Sequence, residues 1–377
     1  MRLRLAIVGA TGMTGREALL HHELLNQLRN QYATVTCVTG GSSSVGKLLG
    51  DVIKEKEEIL AKRYHFWQPM ECPPAFKGMV VEPTEAAQIA EKADYVISAL
   101  PSSVAQRIEP QLRQYGLHIF SNASAFRQDA SVPLIIPEVN PGSLRDIEIK
   151  NGYGVQVCNP NCVVAGFVIA LRALDSKENP LEHIIISTRQ SLSGKGDSIA
   201  DENYAKKALQ GPFDDWTYDG INEEALKICS EPKKILEWTT SSPLIEAKTT
   251  RVPMQYGHLL ELTLSFREKK CVGECKELLG KFKPGAEVAS LPSTPKTCFA
   301  IRDDIPHLED LSFGDGMTVS LGDFRQRDQK TVSFQLLTHN LRRGATWTTR
   351  QCLELFLTYQ GYEDHFGRQK EPVEVRI

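Results

Sequence analysis

Leu5-Ala6-Ile7-Val8-Gly9-Ala10-Thr11-Gly12-Met13-Thr14-Gly15 decides the fold. The apolar run predicts a buried strand over Leu3 to Val8. Glycines follow at once, and Arg16 to Leu28 continues with helical periodicity. Strand, glycine turn and helix are the context that a dinucleotide-binding fingerprint needs. The spacing here is Gly-x-x-Gly-x-x-Gly, a variant of the more common pattern. Gly9, Gly12 and Gly15 would let backbone approach a pyrophosphate seated on the helix N-terminus, with Thr11, Met13 and Thr14 as further candidate contacts.

Working outward, a second strand is expected over Thr34 to Val38, ending in Thr39-Gly40-Gly41-Ser42-Ser43-Ser44-Val45-Gly46-Lys47. A site for NAD usually places an acid here to bind the ribose 2′-hydroxyl. This loop has none. Its hydroxyls, Ser43 and Ser44 among them, and Lys47 suit a 2′-phosphate, which predicts NADP. Further strands are expected at Met79-Val80-Val81, Tyr95 to Ser98, His118 to Phe120 and Leu134-Ile135-Ile136, with helical stretches between several of them. Such alternation implies a mostly parallel sheet covered on both faces. Ser98-Ala99-Leu100-Pro101-Ser102 then ends a strand where ligands bind in such sheets. The segment Asp51 to Phe76 reads as a helix with a proline-containing loop and carries no chemical signal.

The 377 residues suffice for two domains, and the net charge of −3 is near neutral for that length. No Lys/Arg block suggests a nucleic-acid partner; the densest charge run, Lys54 to Arg63, mixes both signs. No apolar run approaches a membrane span, and the first strand begins too early for a signal peptide. Nine cysteines at scattered spacings argue for a reducing compartment, so a cytoplasmic setting is expected. Cys271 and Cys275 lie four apart without a His or Cys to complete a metal set, and no metal site is expected.

A second signal is Cys158-Asn159-Pro160-Asn161-Cys162-Val163-Val164-Ala165-Gly166. Cys162 follows a turn and precedes an apolar, helix-like stretch to Leu174. Unpaired N–H groups and the dipole at a helix start favour an anion, so this position is expected to lower the thiol pKa and later to hold an oxyanion. Beyond it the pattern changes. His183 to Thr188, Leu259 to Phe266 and Thr331 to Leu336 alternate and lie far apart, which predicts a mixed sheet in a second, α+β domain. Three polar clusters fall there: Thr188 to Gly196; Glu223 to Lys227, where Glu224 and Lys227 share a helix face; and a Pro/Gly turn with Arg251 and His258 at its ends.

Together these residues resemble the aspartate-β-semialdehyde dehydrogenase family, particularly its archaeal and fungal type. The ordered matches are Gly9 to Gly15, Ser98 to Ser102, Ser121-Asn122-Ala123-Ser124-Ala125-Phe126-Arg127, Val132 to Asn140, Asn159 to Cys162, Gln190 with Ser193-Gly194, Glu224 and Lys227, Arg251-Val252-Pro253 with Gly257-His258, and His339-Asn340 with Arg343-Gly344-Ala345. The resemblance implies Cys162 as nucleophile, His258 as acid/base and Gln190 as the residue that orients the acyl group. It implies Arg251 for the substrate carboxylate, Glu224 for its ammonium, Arg127 and Lys227 for phosphate, and Asn161 in the substrate set. Ser193, Gly194 and Asn340 would lie with the cofactor.

The implied reaction is NADP-dependent reductive dephosphorylation of L-4-aspartyl phosphate to L-aspartate 4-semialdehyde through a Cys162 thioester, in lysine, threonine and methionine biosynthesis. The implied organisation is an NADP-binding Rossmann-like domain over 1–140, a catalytic and oligomerisation domain over 141–343, and a C-terminal helix in 344–377 that returns to the first domain. A homodimer or homotetramer is implied. The chain departs from the family at Ser43, Arg189, Lys195 and Trp347, which bears on cofactor preference and on packing near the nicotinamide. Other readings of the same residues are another acyl reductase, such as a malonyl-CoA or N-acetyl-glutamyl-phosphate reductase, a cysteine hydrolase using Cys162 and His258, or a non-catalytic NADP sensor. The Glu224 and Arg251 pair favours a substrate with a free ammonium, and the nucleotide fingerprint disfavours hydrolysis.

Overall fold

The computed structural model describes residues 2–28, 32–147, 149, 152–214, 222–238 and 242–362. Strand β1 (Leu3–Val8) runs into the glycine turn, and α1 (Met13–Leu28) leaves it. Gly9 has φ +83°, and a Cβ there would lie 2.7 Å from the Ala99 carbonyl oxygen. Only glycine lets this turn close against the neighbouring strand end.

The first sheet comprises β1, β2 (Ala33–Val38), β3 (Tyr95–Ser98), β4 (His118–Ser121) and β5 (Gln156–Cys158), all parallel, in the order β2-β1-β3-β4-β5. Helices α2 (Leu49–Arg63), α3 (Ala86–Lys92), α4 (Ser102–Gln114) and the short α5 (Gly142–Arg145) lie in the connections. The chain reverses its direction of winding between β1 and β3, so a crevice opens at the C-terminal ends of those strands. Two expected strands do not form. Val80 and Leu134 make isolated bridges only, to Leu48 and Cys158. Prolines at 83, 133 and 137 border those segments and cannot donate to a ladder. The sheet also runs past the expected boundary at 140, because Gln156–Cys158 pairs with β4.

The second domain contains α6 (Val164–Leu174), β6 (Leu181–Gln190), α7 (Glu202–Leu209), α8 (Glu223–Ile235), β7 (Leu244–Arg251), β8 (His258–Phe266), α9 (Val272–Lys281), the short α10 (Ala286–Ala289), β9 (Phe299–Ile301), β10 (Val319–Gln326) and β11 (Thr331–Thr338). Its sheet is mixed, in the order β7-β6-β8-β11-β10-β9, with β6–β7 and β9–β10 parallel. Helix α6 is buried from Val164 to Leu171 and packs with the inward residues Ile184, Ile186, Leu260, Leu262, Phe334 and Leu336. A helix that is apolar all round has to be buried in this way. Cys271, one of the two cysteines considered for a metal, instead caps α9: its Sγ accepts the Glu274 N–H.

The closing helix α11 (Trp347–Tyr359) packs on the first sheet through Cys352, Leu353, Leu355 and Phe356, alongside Leu5, Ile7 and Phe120. Its polar residues are buried too, and several of them are paired. Glu354 accepts from the Tyr32 hydroxyl (2.6 Å) and the Ser293 N–H (2.8 Å), and Gln351 donates to Glu138 (3.0 Å). Trp347 stacks on His21 at 3.9 Å, between α1 and α11, and is absent from the lining of the crevice.

The segment around α2 ties the two domains together. The Tyr64 hydroxyl donates to the Ile199 carbonyl (2.8 Å), and the Gln255 side chain pairs with the Gln68 backbone through two bonds of 2.7 Å. Tyr64 and Trp67 pack with Leu192, Ile199, Ala208 and Leu341.

Candidate active site

The turn before Cys162 is pinned on three sides. Asn161 Oδ1 accepts the Val163 N–H (2.9 Å), its Nδ2 donates to Glu224 Oε2 (2.7 Å), and its backbone N–H donates to Glu231 Oε2 (2.6 Å). Asn159 Nδ2 donates to the Gly344 carbonyl (3.2 Å), and a Cβ at Gly344 would lie 2.9 Å from the Cys162 Cβ. Gly344 is therefore glycine because backbone presses on the cysteine. Helix α6 begins at Val164, one residue later than the sequence suggests.

Three strand ends bring the remaining groups to this turn. Gln190 is the last residue of β6, Arg251 the last of β7 and His258 the first of β8; the register places Gln190 opposite both of the others. His258 Nε2 lies 3.2 Å from Cys162 Sγ. Its Nδ1 faces the Gly257 carbonyl (3.1 Å) and the Ser191 N–H (3.2 Å). A proton on Nδ1 goes to the Gly257 carbonyl and forgoes the Ser191 N–H, and that tautomer is the one that leaves Nε2 bare toward sulfur. Arg251 Nη1 donates to the Ser191 carbonyl (2.8 Å). A Cβ at Gly194 would stand 3.1 Å from both Arg251 Nη1 and His258 Nε2, so this loop too approaches as bare backbone. Asn340 joins the pieces: its Oδ1 accepts from the Gly257 N–H (2.9 Å) and the Ser191 hydroxyl (3.2 Å), and its Nδ2 donates to Ser193 (2.9 Å).

A cleft of about 970 Å³ runs from the first glycine turn to Cys162. Gly9, Thr11, Gly12, Met13, Thr14, Ser43 and Ser44 line one end; Arg127, Asn161, Cys162, Ser193, Gly194, Glu224, Lys227 and Asn340 line the other. Gly15 does not line it but packs α1 onto the Gly9 carbonyl. Lys47 is also absent from the lining. It lies exposed, 4.0 Å from Glu55, whereas Lys56 and Arg107 line the cleft; Lys56 donates to the Thr11 carbonyl (3.1 Å) and to Asp197 (2.5 Å). Of the unusual loop residues, Lys195 lines the cleft, whereas Arg189 is on the exposed face of β6.

The electrostatics correct one expectation. Burial, reinforced by the nearby Glu224 charge, pushes the Cys162 thiol up to about 12, although Arg251, Arg127 and Lys227 act against it. Burial and then the Arg251 charge push His258 down to about 3. The resting pair is thus neutral thiol and neutral imidazole, in contact. Burial also opposes the Glu224 carboxylate, but Lys227 at 2.8 Å and Asn161 outweigh it and hold Glu224 at about 2.

Two consequences follow for pH. Below about 6.5 the unfolded chain takes up a proton at His258 that the folded chain refuses, so stability falls as pH drops from there toward about 3. Above about 9 the unfolded thiol ionises while the buried one does not, so stability also falls as pH rises toward about 12. In the free protein, alkylation of Cys162 by iodoacetamide, followed on its peptide by mass spectrometry, is expected to rise about tenfold per unit between about pH 6 and 9 without levelling. A plateau near neutral pH would show a stabilised thiolate and defeat this account.

Arg127 is held by Glu231 (Nη1–Oε1, 3.1 Å) and the Asn122 carbonyl (2.8 Å), and its buried Nε has no partner among the described residues. Gln190 gives its Nε2 to Thr188 (3.1 Å), and its buried Oε1 is likewise unmatched among them. Buried polar atoms left open inside a site suit a ligand. Glu231, Ser191 and Lys56 were not singled out from the sequence. Glu231 could have been, since it lies seven residues after Glu224 on one helix face.

Two family models match the chain: the semialdehyde dehydrogenase NAD-binding domain over residues 4–147 and the semialdehyde dehydrogenase dimerisation domain over 171–343. An aspartate-semialdehyde dehydrogenase of Archaeoglobus fulgidus is 29% identical over 367 residues, covering 95% of this chain and 98% of the relative. One of Trichophyton rubrum is also 29% identical over 367 residues, covering 91% and 94%. A malonyl CoA reductase (NADP) of Metallosphaera sedula is 29% identical over 374 residues, covering 96% and 98%. Among solved structures, an aspartate semialdehyde dehydrogenase with NADP from Candida albicans superposes with a TM-score of 0.77 at 24% identity, over 96% of this chain and 100% of that one. At that identity the likeness speaks for the fold.

Proposed function

We propose that this chain, which belongs to the semialdehyde dehydrogenase family, carries out the NADP-dependent reductive dephosphorylation of L-4-aspartyl phosphate to L-aspartate 4-semialdehyde, in lysine, threonine and methionine biosynthesis. The observation that carries this reading is the 3.2 Å contact between Cys162 Sγ and His258 Nε2 at the end of a cleft that begins on a dinucleotide turn.

The residues fit NADP. Glycine turn and crevice leave room for a pyrophosphate, and the Ser43 and Ser44 hydroxyls lie on a loop without an acid. His258 Nε2 takes the thiol proton as Sγ attacks the acyl carbon. The S–C bond forms, the C–O bond to phosphate breaks, and Arg127 and Lys227 hold the departing phosphate. NADPH, when bound in that cleft, would supply the hydride that reduces the thioester carbon. His258 returns its proton to sulfur as the S–C bond breaks, and the phosphate takes up a proton from solvent. Throughout, Arg251 pairs the α-carboxylate, Glu224 the ammonium, and Gln190 orients the acyl oxygen. Because the thiol starts neutral, proton transfer and attack belong to one step.

We further infer a homodimer, formed through the second domain. Among the described residues no helix is long and apolar enough to cross a membrane. Nine cysteines without a disulfide suit a cytoplasmic setting.

The test is NADP⁺ reduction by purified protein with L-aspartate 4-semialdehyde, with and without phosphate, beside NADPH oxidation with malonyl-CoA. Phosphate-dependent reduction supports the reading. Turnover of the CoA thioester alone would favour the second reading, to which the Metallosphaera relative points. No turnover of either would reject both.

A further inference from the structure

Glu231 is 1% exposed on α8, on the helix face that also carries Glu224 and Lys227. Its two oxygens serve different partners. Oε1 accepts from Arg127 Nη1 (3.1 Å), and Oε2 accepts the N–H of Asn161 (2.6 Å), the residue before Cys162. One turn further along, Lys234 donates to the Arg127, Asp129 and Val132 carbonyls at 2.9, 2.6 and 2.7 Å. The helix therefore grips both the guanidinium of Arg127 and the loop that carries it. Burying a carboxylate is costly unless its oxygens are matched, and here both matches lie at the reacting centre.

We propose that Glu231 is a positioning residue that couples the phosphate subsite to the nucleophile, one oxygen turning Arg127 toward the departing phosphate and the other fixing the turn that holds Cys162. This rests on the acyl-phosphate reading above. With Glu231 and Asn122 occupying Nη1 and Nη2, Nε of Arg127 is left for an anion in the cleft. An amide of the same shape cannot replace the carboxylate, because its one oxygen can accept from only one of the two donors, and its NH₂ would face the other.

The experiment compares the full-length wild type with Glu231→Gln, Arg127→Lys and the double variant. It measures kcat, the KM for inorganic phosphate and the pH profile of Cys162 alkylation. Glu231→Gln is expected to raise the phosphate KM about tenfold or more. In the Arg127→Lys background the same change should have a much smaller effect, because the shared contact is already altered. The alkylation profile should change as well, since the turn that carries Cys162 loses its anchor at the Asn161 N–H. Equal KM effects in both backgrounds, or an unmoved KM and profile in a folded variant, would overturn the proposal. If Glu231→Gln does not fold, Glu231→Asp keeps the charge but is too short to span both partners; an unchanged phosphate KM in it would be equally fatal. Should the wild type show no phosphate dependence, the acyl-phosphate reading fails. The alkylation profile then decides the Cys162 arm of Glu231 independently.

Discussion

Cys162→Ala is expected to abolish NADP⁺ reduction with L-aspartate 4-semialdehyde and phosphate, by on the order of 10⁴-fold or more, while cofactor binding and folding persist. Without sulfur there is no thioester to carry the acyl group between hydride transfer and phosphate. His258 cannot substitute, since burial holds it at about 3 and its ring is packed beside Gly194. The fold should be indifferent: the turn is secured by Asn159, Asn161 and Glu231, none of which needs the thiol. The measurement is the initial rate, paired with fluorescence titration of NADP. A residual rate within about tenfold of wild type would mean that the reaction is not covalent at this sulfur.

The largest effect on stability is expected at Glu138. Glu138 and Arg343 are wholly buried and joined at 2.8 Å. Arg343 Nε also donates to the Met317 carbonyl (2.8 Å), and Gln351 donates to the same Glu138 oxygen (3.0 Å). Glu138→Ala leaves a buried guanidinium without its counter-charge, which costs about 3–5 kcal/mol. The loss should appear as a lower urea midpoint. Adding Arg343→Leu should restore part of it, because removing both charges relieves the desolvation cost. A midpoint unchanged within error in Glu138→Ala would contradict this. Activity should fall as well, because Arg343 precedes the Gly344 backbone that presses on Cys162.

Much of this molecule is local, and local features were legible. The run Leu5 to Gly15 is one strand, one turn and one helix, and Gly9 and Gly15 are demanded by contacts within that unit and with Ala99. The apolar, uninterrupted α6 could only be a buried helix, and the alternating β6 and β8 could only be half-covered strands. The failures have local causes too. Prolines at 83, 133 and 137 turned two expected strands into isolated bridges.

By itself, then, the sequence determined the two-domain architecture, the dinucleotide turn, the mixed second sheet and the residue types of the site. Only the tertiary structure decided how they meet. Gln190, Arg251 and His258 converge because β6, β7 and β8 pair in one register, and register between distant strands is not written in any one of them. Tertiary packing also put Lys56 rather than Lys47 in the cleft and Trp347 against His21 instead of the cofactor path. It reversed the expected charge state of the nucleophile as well. A helix start argues for a thiolate, but burial beside Glu224 outweighs it, because the cost of desolvating a charge depends on everything packed around it and not on its neighbours in the chain.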